Sequence, residues 1–253
     1  MKPILVPLLA SLVCVTVHAA DPILLEAPAE TKKADLDACA AMMNKRIAAL
    51  ALKDLKATVV QKDGKSSVEV ASPRDVADDA FKKIRILALF AGKAGGVRFP
   101  HVNTKEEEAE CEWPTLTTPG KPPKGFQFFR MMRPDFAVFD EFRVRNDPPF
   151  ATWSDVSVKT RAADKWTFQF APAASKRLVA EVDKNFDAAH SSYSGFCFTV
   201  DDKGFPDQIE VHLKTQQVPL KNAEFTMPAE QAALMEAILR NPMPLSLKPP
   251  AAR

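Results

Sequence analysis

The fold is decided by a stretch that reads S-S-Y-S-G-F-C-F-T-V-D-D-K-G-F-P-D-Q-I-E-V-H-L over residues 191–213. Aromatic and β-branched residues alternate with other residues over 196–200 and again over 209–213, which predicts two strands with a period of two. Asp202-Lys203-Gly204 between them predicts a hairpin turn, because glycine accepts the positive φ that a tight reversal needs. We therefore expect a β-hairpin here.

The same stretch continues as M-P-A-E-Q-A-A-L-M-E-A-I-L-R-N-P-M-P over residues 227–244. Pro228 predicts the start of a helix, where the missing N–H of proline costs nothing. Asn241-Pro242 predicts its end, because a residue before proline leaves the helical region. With residues 245–247 as a short closing strand, the sequence predicts a β-β-α-β unit of about fifty residues.

The N-terminal part of the chain carries a similar pattern. Apolar residues recur every three or four positions over 35–55, which predicts a helix. Strands are predicted over 57–61 and 66–71, with Asp63-Gly64 as the turn between them. Ser72-Pro73 then predicts the start of a second helix.

These patterns predict an α+β fold, built either as two small helix–hairpin–helix lobes or as one mixed antiparallel sheet packed against helices. Further strands are predicted within 126–145 and over 152–159 and 166–170, and a further helix over 173–189. We expect a signal peptide over 1–20, a loose leader over 21–34, an N-terminal α-β-β-α unit over 35–100, an irregular and strand-rich middle over 101–170, and a C-terminal α-β-β-α-β unit over 171–253. A pseudo-repeat of the two units is a further hypothesis.

The first twenty residues predict export from the cytoplasm. Lys2 precedes an apolar run over 4–17, and cleavage after Ala19 or Ala20 fits the small residues there. An uncleaved membrane anchor and a lipoprotein modified at Cys14 are the alternatives. The run is short for a membrane span, and no other stretch approaches ~20 apolar residues, so we expect no membrane span after signal removal. The location predicted is therefore the periplasm or the exterior.

The charge balance argues against a nucleic-acid partner. The whole chain has 34 basic and 32 acidic residues, a net charge of +2. Removal of the signal peptide takes away Lys2 and no acid, so 33 basic residues remain against 32 acidic ones. A near-neutral protein lacks the basic surface that nucleic acids require.

Three cysteines remain after signal removal, namely Cys39, Cys111 and Cys197. An oxidising compartment favours one disulfide and one spare thiol. Three pairings are possible, and the sequence does not choose among them. Cys39 also lies on the apolar stripe of the first helix, so the alternative for it is a small core residue.

The usual catalytic and metal-binding patterns are missing from the sequence. It contains no H-E-x-x-H and no G-x-S-x-G, and His101, His190 and His212 lie at no metal-ligand spacing. We therefore expect no catalytic, cofactor-binding or metal-binding residues. Two alternatives stay open: a periplasmic hydrolase that uses His190 and a nearby serine, and a binder of a small apolar ligand in the aromatic segment 126–142.

Residues 195–244 resemble the C-terminal domain of TonB-type energy transducers. The resemblance is carried by Gly195, F-C-F-T-V, D-D-K-G, I-E-V-H-L, Leu220, A-A-L-M-E-A-I-L and P-M-P. Lys214-Thr215-Gln216 departs from the Ser-Ser-Gly that the family often has, and Asn222 stands where an aspartate is usual. The resemblance implies a module that binds another envelope protein at an exposed strand edge. The predicted function is an exported, non-catalytic binding or adaptor protein of the cell envelope.

Overall fold

The computed structural model describes residues 22–62, 64–71, 78–93, 95–98, 109–112, 120–132, 138–185, 194–201, 203–204, 209–211 and 224–249. The elements are β1 (Ile23–Glu26), α1 (Lys33–Ala49), β2 (Lys56–Lys62), β3 (Lys65–Ala71), α2 (Asp78–Leu89), β4 (Gly96–Arg98), β5 (Phe126–Met132), β6 (Val138–Arg145), β7 (Ala151–Thr152), β8 (Val156–Arg161), β9 (Lys165–Phe170), α3 (Pro172–Asn185), β10 (Ser194–Val200), β11 (Lys203–Gly204), β12 (Ile209–Val211), β13 (Glu224–Pro228) and α4 (Ala229–Arg240). The predicted α+β fold class is confirmed. Within the described ranges the strands form three sheets.

The first sheet has the order β1-β3-β2, and its neighbouring strands are antiparallel. Gly64 has a φ of 73° at the turn between β2 and β3, as the Asp-Gly pair predicted. Helix α1 packs on β2 and β3. It ends at Ala49, earlier than predicted, and Ala51 beyond it has a φ of 54°.

Strand β1 lies in the segment that the sequence predicted to be a loose leader. Ile23 and Leu25 are buried, and they pair with Val70 and Val68 of β3. Fully buried residues alternate with less buried ones along β1, which fits an edge strand with one buried face. The strand has only four residues and is followed by a polar and proline-containing sequence, so its pattern does not stand out from a loop.

The central sheet has the order β6-β5-β11-β10-β4-β7, and β12 also pairs with β10. The predicted hairpin is confirmed, because β10 pairs antiparallel with both β11 and β12. The positive φ of its turn belongs to Asp201, at 51°, and Gly204 lies in β11. The sequence placed the turn too late because aspartate, like glycine, tolerates left-handed backbone angles. β4 covers the other side of β10, so β10 is an interior strand.

The third sheet has the order β13-β9-β8 and is antiparallel. Its inner face carries the cross-strand row of Val158, Phe168 and Phe225. Its outer face is polar, and its residues include Ser157, Thr160, Thr167, Gln169, Glu224 and Thr226. Helix α4 packs on β9 and β13 and buries the inner face. Strand β8 is therefore an edge of this sheet in the described part of the chain.

The N-terminal and C-terminal parts share one buried cluster, which runs from Ile23 to Leu247. The strand predicted over 245–247 is not formed: these residues pair with no strand, and Lys248 after them makes a single antiparallel bridge with Glu26 of β1. Leu247 N–H donates to Ala91 O at 2.8 Å. The boundaries predicted at 34, 100 and 170 and the pseudo-repeat stay predictions.

Buried Arg46 of α1 ties three helices together. Its Nε donates to Asn241 O at 2.8 Å, and its Nη1 donates to Phe90 O at 2.7 Å. Phe90 follows α2 and Asn241 follows α4, so both carbonyls lie at the negative ends of helix dipoles. Burial lowers the pKa of Arg46 to about 9, which leaves the guanidinium charged at neutral pH.

Candidate binding groove

An open groove of about 460 Å³ lies between the edge strand β8 and helix α4. This volume is within the range of small-molecule sites, ~300–1,000 Å³. The residues that line it are Thr152, Trp153, Ser154, Val156, Val158, Phe168, Glu236, Leu239, Arg240 and Pro242. The β8–α4 groove, as we call it, combines an apolar floor with a charged rim.

The floor follows from the alternation in V-S-V-K-T-R. Val156 and Val158 point to the inner face of the sheet, and Ser157 points to the outer face. Both valines are only partly buried, because α4 packs mainly on β9 and β13. Leu239, at the margin of the apolar stripe of α4, is also partly buried and forms the opposite wall.

One end of the groove is closed by a single turn of 3-10 helix, Trp153–Asp155. Thr152 N–H and its hydroxyl donate to Asp155 Oδ2 at 2.8 and 2.9 Å. The first of these bonds is one half of a capping box, whose other half is the Asp155 N–H donating to the Thr152 side chain. The Trp153 side chain is buried, and its Nε1 has no hydrogen-bond partner among the described residues. The turn therefore gives the groove a rigid aromatic end.

The rim is held by a carboxylate that bridges β8 and α4. The two carboxylate oxygens of Glu236 accept hydrogen bonds of 2.8 and 2.9 Å from Arg161 Nη2. Its Oε1 also accepts a hydrogen bond of 2.9 Å from Arg240 Nε. The Arg161 guanidinium also lies 4.9 Å from the ring centroid of Trp166. Exposed ion pairs contribute at most about 1 kcal/mol to stability, so the main effect of this group is to fix the position of the rim.

The backbone of β8 leaves hydrogen-bonding groups at its outer edge. Ala171 N–H donates to Asp155 O at 2.7 Å, which makes Val156 and Phe170 a non-hydrogen-bonded pair of the antiparallel ladder. The pair types alternate along a ladder, so Val158 and Phe168 are also a non-hydrogen-bonded pair. The N–H and C=O of Val158 therefore point away from β9. In the described ranges no residue bonds to either group.

The first sheet also has an edge strand with outward backbone groups, but there a side chain bonds to them. Ala57 of β2 points its N–H and C=O outward, where Asn44 of α1 bonds both at 2.8 Å. Both sheets place the first hairpin arm at the edge and a separate strand on the far side. Ala57 and Val158 lie on these two edge strands, but only Ala57 has an amide partner in the described structure. The β8 edge, meaning the outward C=O of Val156 and the outward N–H and C=O of Val158, is thus open in the described structure.

The hydrolase alternative uses His190 and a nearby serine, and His190, Ser191 and Ser192 lie outside the described residues, as do His101 and His212. Ser194 is described, and it pairs with Val211 in the central sheet. No group of three or more His, Cys, Asp or Glu residues that could hold a metal ion occurs in the ranges that the structure describes. The hydrolase alternative is therefore untested.

The predicted disulfide is absent from the structure. Cys39 and Cys197 are free, buried thiols. Each of the three possible pairings uses Cys39 or Cys197, so none of the three bridges is present. The physical reason is location: the Cys39 thiol lies 4.0 Å from Leu245 O in the main core, whereas Cys197 packs with Phe129 and Val144 in a separate cluster.

The aromatic segment 126–142, predicted as an alternative ligand site, forms the paired strands β5 and β6. The described side chain of Phe129 is buried against Val144 and Cys197. The β8–α4 groove is a different place, built from residues 152–168 and 236–242. Sequence reasoning did not identify it, and the only local signal was the valine alternation in β8.

No family model and no curated protein matches the sequence. Among solved structures, one described as a membrane component SecDF that enhances protein export is 14% identical, has a TM-score of 0.40, and is matched over 92% of this chain and 99% of that chain. SecDF in a super-membrane-facing form is 15% identical with a TM-score of 0.43, over 90% of this chain and 29% of that one. SecDF, a translocon-associated membrane protein from Thermus thermophilus, is 15% identical with a TM-score of 0.29, over 90% and 30%. At such identities and TM-scores, the likeness assigns neither a family nor a function to this chain.

None of the helices in the described ranges has both the length and the apolar character needed to cross a membrane. Residues 1–21, which carry the predicted signal peptide, lie outside those ranges.

Proposed function

We propose that the protein is an exported, non-catalytic binding or adaptor protein of the cell envelope, and that an extended segment of its partner adds to the β8 edge. One observation carries this proposal. Val158 presents an N–H and a C=O without partners in the described structure, directly beside an open groove. Strand addition uses these two features together, because backbone bonds supply affinity and pockets for alternate side chains supply specificity.

The shape of β8 also supports a short docking site. The ladder with β9 shifts register between Val158 and Thr160, which leaves Lys159 as an extra residue in a bulge. Bulges and lysines at edges hinder uncontrolled pairing with other chains. Only the part of the edge before the bulge is therefore suited to a partner strand.

Kinship with TonB-type transducers remains part of the proposal, but the docking strand is placed outside the stretch that resembles this family. The family resemblance lies over 195–244, and the hairpin strand β10 in that stretch is covered on both sides by β4, β11 and β12. A partner strand has no access to the edges of β10 where these strands pair with it. The proposed docking strand is accordingly β8, outside the resembling stretch. The export of the protein rests on the signal-peptide pattern at residues 1–20.

The test begins with linear peptides selected on the folded protein from a random phage-displayed library. The variant Leu239→Trp fills the groove from its α4 wall, and the matched control Thr226→Trp places the same side chain on the exposed outer face of the same sheet. We expect Leu239→Trp to weaken peptide binding about tenfold or more, and Thr226→Trp to change it less than about twofold. Circular dichroism checks that both variants are folded. Peptides that bind both variants equally well would show that the groove is not the docking site.

A further inference from the structure

We infer that Val158 sets the register of the docked segment: one partner residue exchanges two backbone hydrogen bonds with Val158, and its apolar side chain enters the β8–α4 groove. This inference rests on the proposed function and adds the length, pattern and register of the segment. The partner is thus a short extended peptide of alternating polarity, with an apolar residue at the position that faces Val158.

The register follows from the outward groups of β8. Two residues that exchange both backbone bonds form a directly opposed pair, and opposed residues carry their side chains on the same face of a sheet. The side chain of Val158 lies on the groove face with Phe168. The partner residue opposite Val158 therefore points toward the groove, where Leu239 and Phe168 favour an apolar group.

The paired segment is short because both of its ends are blocked. On one side, Val156 N–H already donates to Trp153 O in the 3-10 turn. On the other side, the bulge at Lys159 breaks the alternation. Three consecutive groups remain, namely the C=O of Val156 and the N–H and C=O of Val158.

The same geometry gives the pattern of neighbouring residues. Residues next to the anchor residue, which is our name for the partner residue opposite Val158, point to the outer face, where Ser157 and the Lys159–Glu224 ion pair lie. These positions favour polar side chains. A second apolar residue, two positions from the anchor residue and opposite Val156, points toward the Trp153 end of the groove. The expected motif is polar–apolar–polar–apolar.

Asn44 shows that an amide group can bond to the outward N–H and C=O of an edge-strand residue. Its side-chain amide donates to Ala57 O and accepts from Ala57 N–H, the same two bonds that a peptide group of a partner strand would make. The corresponding outward groups of Val158 meet no such side chain from the described part of α4. A peptide backbone is the occupant with matching donors and acceptors.

The first arm of the test changes the peptide. A selected peptide that binds the wild-type protein and loses affinity with Leu239→Trp is resynthesised with a single N-methyl group at each position in turn. N-methylation removes one backbone donor, so we expect about a tenfold or larger loss at the anchor residue and less than about threefold at the residues on either side of it. Binding is measured by isothermal titration calorimetry.

The second arm changes the protein. Val158→Pro removes an N–H that points outward, which an edge strand tolerates, so the fold is kept and peptide affinity falls about tenfold or more. The matched variant Ser157→Pro removes an N–H that bonds to β9 and lowers the unfolding midpoint instead. Should Val158→Pro itself unfold the protein, the N-methyl series still decides the register.

The outcomes separate the two claims. An N-methyl series with alternating losses supports the register. A flat series, or one whose largest loss falls on a residue with a polar side chain, overturns the register while groove binding stands. Peptides insensitive to Leu239→Trp overturn the proposed function and the register together.

Discussion

Replacement of Arg46 by methionine should destabilise the protein because of what it does to helix ends. Arg46 is fully buried, and its guanidinium donates to the carbonyls of Phe90 and Asn241 at 2.7 and 2.8 Å, with a weaker bond of 3.5 Å to Leu87 O. Methionine has a similar length but no donor. Arg46→Met therefore removes these donors from buried carbonyl groups at the ends of α2 and α4.

The size of the effect follows from two opposing terms. A buried acceptor left without its bond costs about 1–3 kcal/mol, and two such groups lose bonds of good length. Removal of the charge offsets part of this loss in stability, because burying a guanidinium without a carboxylate partner is itself unfavourable. Among the described residues Nη2 has no partner at all, so the guanidinium is not fully satisfied. We expect a net loss of about 2–4 kcal/mol in the free energy of unfolding.

Urea unfolding followed by circular dichroism measures this loss, with the midpoint read at constant slope. The matched control is Lys45→Met, the same substitution at the exposed neighbouring position of α1, which should change stability by less than about 0.5 kcal/mol. A midpoint for Arg46→Met equal to or above that of the wild type would refute the reasoning. It would mean that the buried charge costs more than its bonds contribute.

Three further predictions concern the core. A Cβ at Gly95 would lie 1.6 Å from Thr199 O, so Gly95→Ala should lower the free energy of unfolding in urea by more than about 3 kcal/mol. The control Gly64→Ala, at a φ of +73° with open space around it, should lower it by about 1 kcal/mol. Equal losses would contradict the close approach at Gly95. Burial raises the pKa of both Cys39 and Cys197, so iodoacetamide at pH 8 should leave both unmodified in the folded protein and alkylate both in urea. Peptide mass locates each adduct, because Cys111 is less buried than these two; rapid labelling of Cys39 or Cys197 without urea would contradict their burial. Because their folded pKa values lie above the unfolded value, stability should fall as the pH rises above about 9.

The local elements were predictable because their signals are local. The alternation in K-W-T-F-Q-F identified β9, and the apolar stripe of Leu36, Cys39, Met43 and Ile47 identified α1. The short strands β1 and β13 were missed because four or five residues carry too little periodicity to stand out from loops. Which strands share a sheet was also not predictable, since β1, β9 and β13 acquire their partners through contacts distant in sequence.

The groove could not be predicted because it has no motif. Val158 and Leu239 are ordinary apolar residues separated by about eighty positions, and they line the same groove because α4 packs mainly on β9 and β13. The open edge depends on the alternation of paired and unpaired backbone groups, which no side chain encodes. Histidines and cysteines, by contrast, indicate possible catalytic or metal-binding chemistry by residue type alone, before the fold is known.

The most direct measurement is hydrogen exchange of individual β8 amides, read by NMR in the free protein and with a selected peptide bound. The Val158 amide should exchange rapidly in the free protein, whereas the Ser157 amide, which bonds to β9, should be protected. Peptide binding should slow exchange at Val158 and leave Ser157 unchanged. A Val158 amide already protected in the free protein, or one that stays unprotected when the peptide is bound, would contradict an open docking edge at β8.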